Sequence, residues 1–150
     1  MNKEEKELKQ RVSAVIHLGI VVPSIEKALE VYQNQFGLTP WEHSEKNEFF
    51  ADKLVNGKVG IEFKSAIYRS KEMEIELIEP TVDSIYKEWL AQHGPGIHHI
   101  KFTTDYSYSE LMTTSNRPPY LEYAWPNGVP IVGYADFLKD AGILIEISHE

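Results

Sequence analysis

Cysteine is absent from this 150-residue chain. Its absence excludes a disulfide framework and a thiol nucleophile, and it leaves nitrogen and oxygen as the ligands of any metal. Long apolar runs are missing too, since none approaches the roughly 18 residues that a membrane-spanning helix needs. The residues from Met1 to Glu7 are mostly charged and lack the apolar centre of a secretion signal, so a cytoplasmic protein without a membrane partner is expected. Positive charge is scarce, with 15 Lys and Arg against 23 Asp and Glu for a net charge of −8. That balance argues against nucleic acid as a partner, because phosphate binding needs a basic surface. It leaves room for a local basic pocket that meets a small anion. What is present, 42% apolar and 25% charged residues, fits one domain with a substantial core.

The stretch Gly94-Pro95-Gly96-Ile97-His98-His99-Ile100-Lys101-Phe102 opens on a helix-breaking triplet and continues as an alternating strand. Ile100 and Phe102 share one face there, and His99 and Lys101 point the other way. The same layout occurs earlier at Ile16-His17-Leu18-Gly19-Ile20, with His17 turned away from Ile16, Leu18 and Ile20. Two histidines in matching places on two matching strands point to a duplicated unit with a site between the copies.

Periodicity fills in the rest. A strand over Val15 to Val22 ends at Pro23, and Ser24 caps a helix whose apolar stripe is Ile25, Ala28, Leu29, Tyr32 and Phe36, with Gly37 as its stop. Leu38 to Phe50 reads as a weak strand with an irregular end, and Asn56-Gly57 is a turn signal. Strands follow over Val59 to Tyr68 and Met73 to Glu79, then a linker helix over Asp83 to Gln92 with Ile85, Tyr86, Trp89 and Leu90 on its apolar side. Beyond Phe102 come a poorly patterned helix near Ser107 to Thr114, broken by Arg117-Pro118-Pro119, and strands over Tyr120 to Trp125, Ile131 to Phe137 and Gly142 to Ser148. The expected class is α+β, a β-α-β-β-β unit written twice in one domain over residues 1–150. Module one spans about 14–80, the linker helix about 82–93 and module two about 96–149, with no sequence of linker composition between independent domains.

The last strand of each copy carries a carboxylate opposite an apolar face: Glu76 against Ile75 and Leu77, and Glu146 against Ile143, Ile145 and Ile147. If the apolar faces pack on helices, His17, Glu76, His99 and Glu146 line the concave side of a sheet. Two imidazoles and two carboxylates converging there make a site for a divalent transition metal and a poor one for calcium. Glu74 shares the parity of Glu76 and competes for its place. His98 has the opposite parity and is expected behind the strand or bonded to a neighbour, whereas His43, His93 and His149 fall where simple exposure accounts for them. Lys64, Arg69 and Lys101 are candidates to meet an anionic substrate; surface charge accounts for the first two, and Lys101 shares the side of His99. Tyr120, Tyr123, Trp125 and Tyr134 suit a pocket wall or a packed core equally.

These phrases resemble the vicinal oxygen chelate superfamily, which includes glyoxalase I, methylmalonyl-CoA epimerase and the extradiol dioxygenases. The match covers residues from about 14 to 148, and Val15-Ile16-His17-Leu18-Gly19-Ile20, Glu76-Leu77-Ile78-Glu79-Pro80 and Gly94 to Ile100 are most similar to the epimerase branch. The resemblance implies two modules forming an eight-stranded cup around one metal site. Its ligands, carried over by position, are His17, Glu76, His99 and Glu146. It implies one divalent ion (zinc foremost, or nickel, cobalt or manganese), a small-molecule substrate and a homodimer. It further implies proton abstraction next to a carbonyl with the enolate oxygen on the metal, epimerase-like on an acyl-CoA-type substrate, with Glu146 and Glu76 as the catalytic carboxylates. One departure stands out. The epimerase branch carries a carboxylate before a glycine at the start of the third strand, and Asn56-Gly57-Lys58-Val59-Gly60-Ile61 has none, leaving Glu62 as a substitute only if the register shifts. Glyoxalase I-type lactoylglutathione formation, or a non-catalytic small-molecule-binding protein of the resistance type, are the alternatives; a fourth ligand at Glu76 disfavours a dioxygenase.

Overall fold

The computed structural model describes residues 12–59, 61–104, 110, 112 and 119–148. In chain order they form β1 (Val12–Val21), α1 (Ile25–Leu29) continuing as a π-helical turn (Glu30–Gln35), β2 (Glu42–Ser44), α2 (Glu48–Ala51), β3 (Leu54–Val55), β4 (Lys58–Val59), β5 (Phe63–Arg69) and β6 (Glu74–Pro80). Then follow α3 (Ile85–His93), β7 (Gly96–Thr104), β8 (Pro119–Ala124), β9 (Pro130–Phe137), α4 (Leu138–Ala141) and β10 (Ile143–Ser148). The charged lead-in, Gly60, most of the expected helix at 107–114, Arg117-Pro118 and His149 lie outside the described residues.

One sheet runs through the molecule in the order β2-β5-β6-β1-β7-β10-β9-β8-β3-β4. Module one supplies the first four strands and module two the next four, and the modules meet where β1 and β7 pair antiparallel. Among the described residues the sheet has ten strands rather than eight. The addition is the β3–β4 hairpin, which belongs to module one in sequence but pairs with β8 of module two, Leu54 against Ala124 and Val55 against Tyr123. Asn56 (φ +50°) and Gly57 (φ +82°) form its turn in the left-handed region that such hairpins require. Asn56 is also anchored to β8: its N–H donates to Glu122 O at 2.9 Å, and its Oδ1 accepts from Glu122 N at 2.9 Å. The expected strand over Val59 to Tyr68 is therefore two pieces, β4 at one edge of the sheet and β5 beside the strand at the other. The expected strand over Leu38 to Phe50 shrinks to the three residues of β2, followed by the turn of α2.

The first helix starts as its sequence dictates, with Ser24 Oγ accepting from Lys27 N at 3.2 Å. Glu79 Oε1 accepts from Ile25 N at 2.8 Å, which ties the helix start to β6. Ile25 and Leu29 are buried and Ala28 and Tyr32 pack beside them, but Phe36 is 68% exposed. The wider π-helical turn carries Phe36 off the apolar stripe, which assumed a uniform 3.6-residue period. α1 covers the outer face of module one, packing on Ala66 and Leu77 with Ile20 and Ile75 at the margin.

The inner face carries the larger core. Val21, Phe63 and Ile78 from one half of the sheet join Leu121, Tyr123, Val132, Tyr134 and Leu144 from the other around Tyr86 and Trp89 of α3. β5 and β8 stand six places apart in strand order, so a flat sheet would separate them by about 29 Å. Sharing one core requires the sheet to curl into a cup, and α3 plugs one end of it. The inner face is thus apolar at the plugged end. Leu144 and Ile78, on the same face as Glu146 and Glu76, are 0% and 1% exposed.

Candidate metal centre

Four side chains meet on the inner face beyond that plug. Two come from β1 and β7 at the centre of the sheet, His17 and His99, and two from the flanking parallel strands β6 and β10, Glu76 and Glu146. Their ligand atoms all lie within 4.8 Å of one another. His17 Nε2 is 3.0 Å from His99 Nε2, 3.1 Å from Glu146 Oε1 and 3.6 Å from Glu76 Oε1. His99 Nε2 is 2.9 Å from Glu146 Oε1 and 3.5 Å from Glu76 Oε1. An ion with bonds of about 2.1 Å spaces its ligands about 3.0 Å apart at octahedral corners and about 3.4 Å apart at tetrahedral ones. The observed spacings fit that cage without rebuilding it, and the donor set suits a first-row divalent ion.

Strand register explains why the four converge. In one row across the sheet Glu74, His17, Lys101, Glu146 and Tyr134 stand side by side, and in the next Ile67, Glu76, Gly19, His99 and Leu144 do. A pseudo-two-fold between β1 and β7 relates His17 to His99 and Glu76 to Glu146, and it relates Gly19 to Lys101. Gly19 is needed where it stands: a Cβ there would lie 2.1 Å from Cε1 and 2.3 Å from Nε2 of His99. The imidazole occupies the space a side chain would take.

Each of the two histidines also follows a β-bulge. The β1–β7 register passes from Val15/Phe102 to His17/Lys101, skipping Ile16, and from Gly19/His99 to Ile20/Ile97, skipping His98. A bulged residue escapes strict alternation, so Ile16 lines the same cavity as His17. His98 likewise turns inward among the rings of Tyr86, Trp89, Tyr120 and Tyr134. Of the two expectations for His98, bonding to a neighbour is the one met: its Nδ1 lies 2.8 Å from His99 Nδ1.

Electrostatics define where the protons of these groups sit. Burial alone would lower His99, but hydrogen bonds to the Glu146 and Glu76 carboxylates outweigh it and raise its pKa to about 9. Burial pushes Glu146 up, yet its bonds to His17 and His99 hold its carboxyl well below the usual carboxylate range. His98, desolvated and beside His99, is driven down to about 2 and stays neutral. His99 therefore donates its Nδ1–H to His98 Nδ1, leaving Nε2 aimed at the carboxylates. The hydrogen of His98 is then on Nε2, an atom with no hydrogen-bond partner among the described residues. Orientation of a ligand imidazole through its second nitrogen is the usual device of metal sites. Behind His99 the Tyr134 ring lies 4.6 Å away, and its hydroxyl is held by Tyr86 at 2.9 Å, which also bonds the hydroxyl of Tyr123 at 2.8 Å.

A cavity of about 310 Å³ opens over the centre, lined by His17, Glu76, Glu146, Ile16, Lys101, Phe49, Phe50 and other residues of β5, β6, β9 and β10. Glu74 reaches it but is engaged by Arg69, which also bonds Glu42 at 3.2 Å, so the competitor for the Glu76 place is held elsewhere. Glu62 is exposed and does not line the cavity, so it does not replace the missing epimerase carboxylate. Lys64 pairs with Glu45 at 3.7 Å, away from the cup. His43 is exposed, and His93 stacks on Trp89 at a ring distance of 4.7 Å. Tyr123 and Tyr134 are buried in the core, and Trp125 is 43% exposed and does not line the cavity. Sequence reasoning missed Ile16, Phe49 and Phe50 as wall residues. It also missed Gly19 as a cradle, although a glycine inside a strand signals close approach.

A family model described as the Glyoxalase/Bleomycin resistance protein/Dioxygenase superfamily matches residues 16–117. Among curated proteins, the uncharacterized protein YqjC of Bacillus subtilis (strain 168) is 31% identical over 136 residues, covering 87% of this chain and 88% of the relative. Among solved structures, a methylmalonyl-CoA epimerase of Streptomyces coelicolor in complex with 2-nitronate-propionyl-CoA superposes with a TM-score of 0.64 at 20% identity, covering 91% of this chain and 96% of that one. A hypothetical protein of Bacillus halodurans C-125 gives a TM-score of 0.62 at 22% identity, covering 91% and 93%. The epimerase from Mycobacterium tuberculosis gives 0.63 at 18% identity, covering 93% and 89%.

Proposed function

The chain belongs to the glyoxalase/bleomycin resistance protein/dioxygenase superfamily, and from that premise we propose that it is a metal-dependent isomerase or lyase that removes a proton next to a carbonyl, with an epimerase-like preference for acyl-CoA-type substrates. The observation that carries this reading is the convergence of His17, Glu76, His99 and Glu146 within 4.8 Å at the floor of an open cavity. A divalent ion held by these four would draw electron density from a carbonyl oxygen and make the neighbouring C–H more acidic. His17 and His99 would hold it from the centre of the sheet. Glu76 and Glu146 flank the imidazole pair from opposite sides, so each carboxylate reaches one face of a substrate laid across the pair. One carboxylate taking the proton and the other returning it inverts a stereocentre; a single carboxylate doing both moves a proton between adjacent carbons. Phe49, Phe50, Ile131 and Val132 give the cavity an apolar wall that limits water there.

The epimerase likeness of the fold supports the acyl-CoA preference. One observation favours a second reading, a glyoxalase I-type lactoylglutathione lyase. Among the described residues no unengaged third carboxylate lines the cavity, so the chemistry falls to the two proposed ligand carboxylates alone.

Metal analysis of protein purified without chelator, followed by deuterium exchange from solvent, tests both. About one equivalent of transition metal in the wild type and its loss in His99→Ala are expected. Exchange into methylmalonyl-CoA or a related thioester supports the epimerase-like reading, and turnover of methylglyoxal that needs glutathione supports the second. A wild type without metal, or a His99→Ala variant that retains it, overturns the centre itself. Metal binding without either reaction leaves a binding role for the cup.

A further inference from the structure

The pseudo-two-fold axis maps His17 onto His99 and Glu76 onto Glu146, but between them it sets Gly19 against Lys101. Gly19, between Glu76 and His99, has no side chain because the His99 imidazole fills its place. Lys101, between His17 and Glu146, keeps a four-carbon stem and an ammonium group on the cavity wall, with 25% of the side chain exposed. The two halves of the centre are alike in ligands and unlike in charge.

Charge counting shows what that difference is for. Of the other cations near the cup, Arg69 bonds Glu42 and Glu74, and Lys64, 3.7 Å from Glu45, does not line the cavity. Lys101 has Glu146 Oε2 at 3.7 Å, beyond a hydrogen bond, and Glu146 Oε1 is directed to His17 and His99. Two carboxylates and two neutral imidazoles around a divalent ion sum to zero. Among the described residues that line the cavity, Lys101 is then the cation without a hydrogen-bonded carboxylate, its ammonium donors on the cavity wall. A second cavity of about 230 Å³, lined by Ile16, Lys101, Thr103, Thr104 and Ser148, shares Ile16, Lys101 and Ser148 with the first, so Lys101 stands where the two meet.

We propose that Lys101 is a specificity-determining residue that docks a single negative charge, a carboxylate, on a substrate whose carbonyl lies at the four-residue centre. One ammonium balances the single charge of a carboxylate and leaves the roughly double charge of a phosphate monoester partly uncompensated. The asymmetry also fixes which way round the substrate lies, anionic end on the β10 side and the rest towards Gly19. The proposal rests on the metal-dependent reading above.

Zinc-loaded protein titrated with malonamate and with malonamide tests it, because these probes have the same shape and differ by one charge. Zinc content and thermal melting are followed alongside. Lys101→Met is expected to weaken malonamate about tenfold or more, as loss of a charge-assisted hydrogen bond does. It should leave malonamide affinity, bound zinc and the melting temperature near wild type, and Lys101→Arg should restore most of the preference. Equal malonamate affinity in wild type and Lys101→Met overturns the proposal, and so does an equal loss for both probes. If wild type takes up no zinc, the metal-dependent reading fails and this one with it; if zinc binds and the probes are not discriminated, only the role of Lys101 fails.

Discussion

A single hydrogen atom at Gly19 decides whether His99 can stand in the centre. With a Cβ placed 2.1 Å from the imidazole, either the ring or the strand must move. We expect Gly19→Ala to keep its circular dichroism while metal affinity falls about tenfold or more, the range seen when the support of a ligand is disturbed, read by competition with a chromophoric chelator. His99 carries a second consequence, in protons. Its pKa of about 9 in the metal-free fold exceeds the ordinary 6.5, so the fold holds this proton more tightly than the unfolded chain does. The associated stability is complete below pH 6.5 and is lost as pH rises through 9. Metal-free protein should therefore melt at progressively lower temperature across that interval in a pH series. Zinc uptake at pH 7.5 should release about one proton, measurable in weakly buffered indicator solution.

At the scale of elements, strand alternation made the four-residue set legible before any coordinates, because Glu76, Glu146, His17 and His99 each stand among apolar neighbours of alternating parity. The strands are not fully regular, and alternation was blind to Ile16 and His98 directly before the two histidines, since a bulge adds one residue to a strand without a mark in composition. The Phe36 expectation failed for a kindred reason, a π-helical turn that changes the angular step per residue. The β3–β4 hairpin was half legible. Asn56-Gly57 announces a turn, but nothing local says that its strands will seek β8, which lies more than sixty residues on. That pairing is testable at Asn56, whose positive φ and two bonds to Glu122 are lost or strained in Asn56→Ala. A cost of about 1–2 kcal/mol in denaturant unfolding is expected, with zinc stoichiometry unchanged because the hairpin does not touch the centre.

For the whole molecule, each module contributes one histidine and one carboxylate to the proposed metal site, so neither half holds a complete site. An ion that binds only the native arrangement stabilises it by about 2.7 kcal/mol at a free concentration 100 times its dissociation constant. Adding zinc should raise the melting temperature, and a chelator should return it to the metal-free value. In Glu146→Gln that difference should shrink sharply, a comparison scanning calorimetry makes directly. Among the described residues no helix is long and apolar enough to cross a membrane.

The hairpin has a further consequence, for fragments. Its residues lie in the first half of the sequence, yet they cover the edge of β8 in the second. A chain cut between α3 and β6 leaves the later piece with an open row of backbone donors and acceptors along β8, the kind of edge that recruits other strands. The earlier piece carries a two-stranded ribbon with nothing to lean on. Such halves should reassociate or aggregate rather than persist alone, so the duplication legible in the sequence does not divide the protein into two independent bodies.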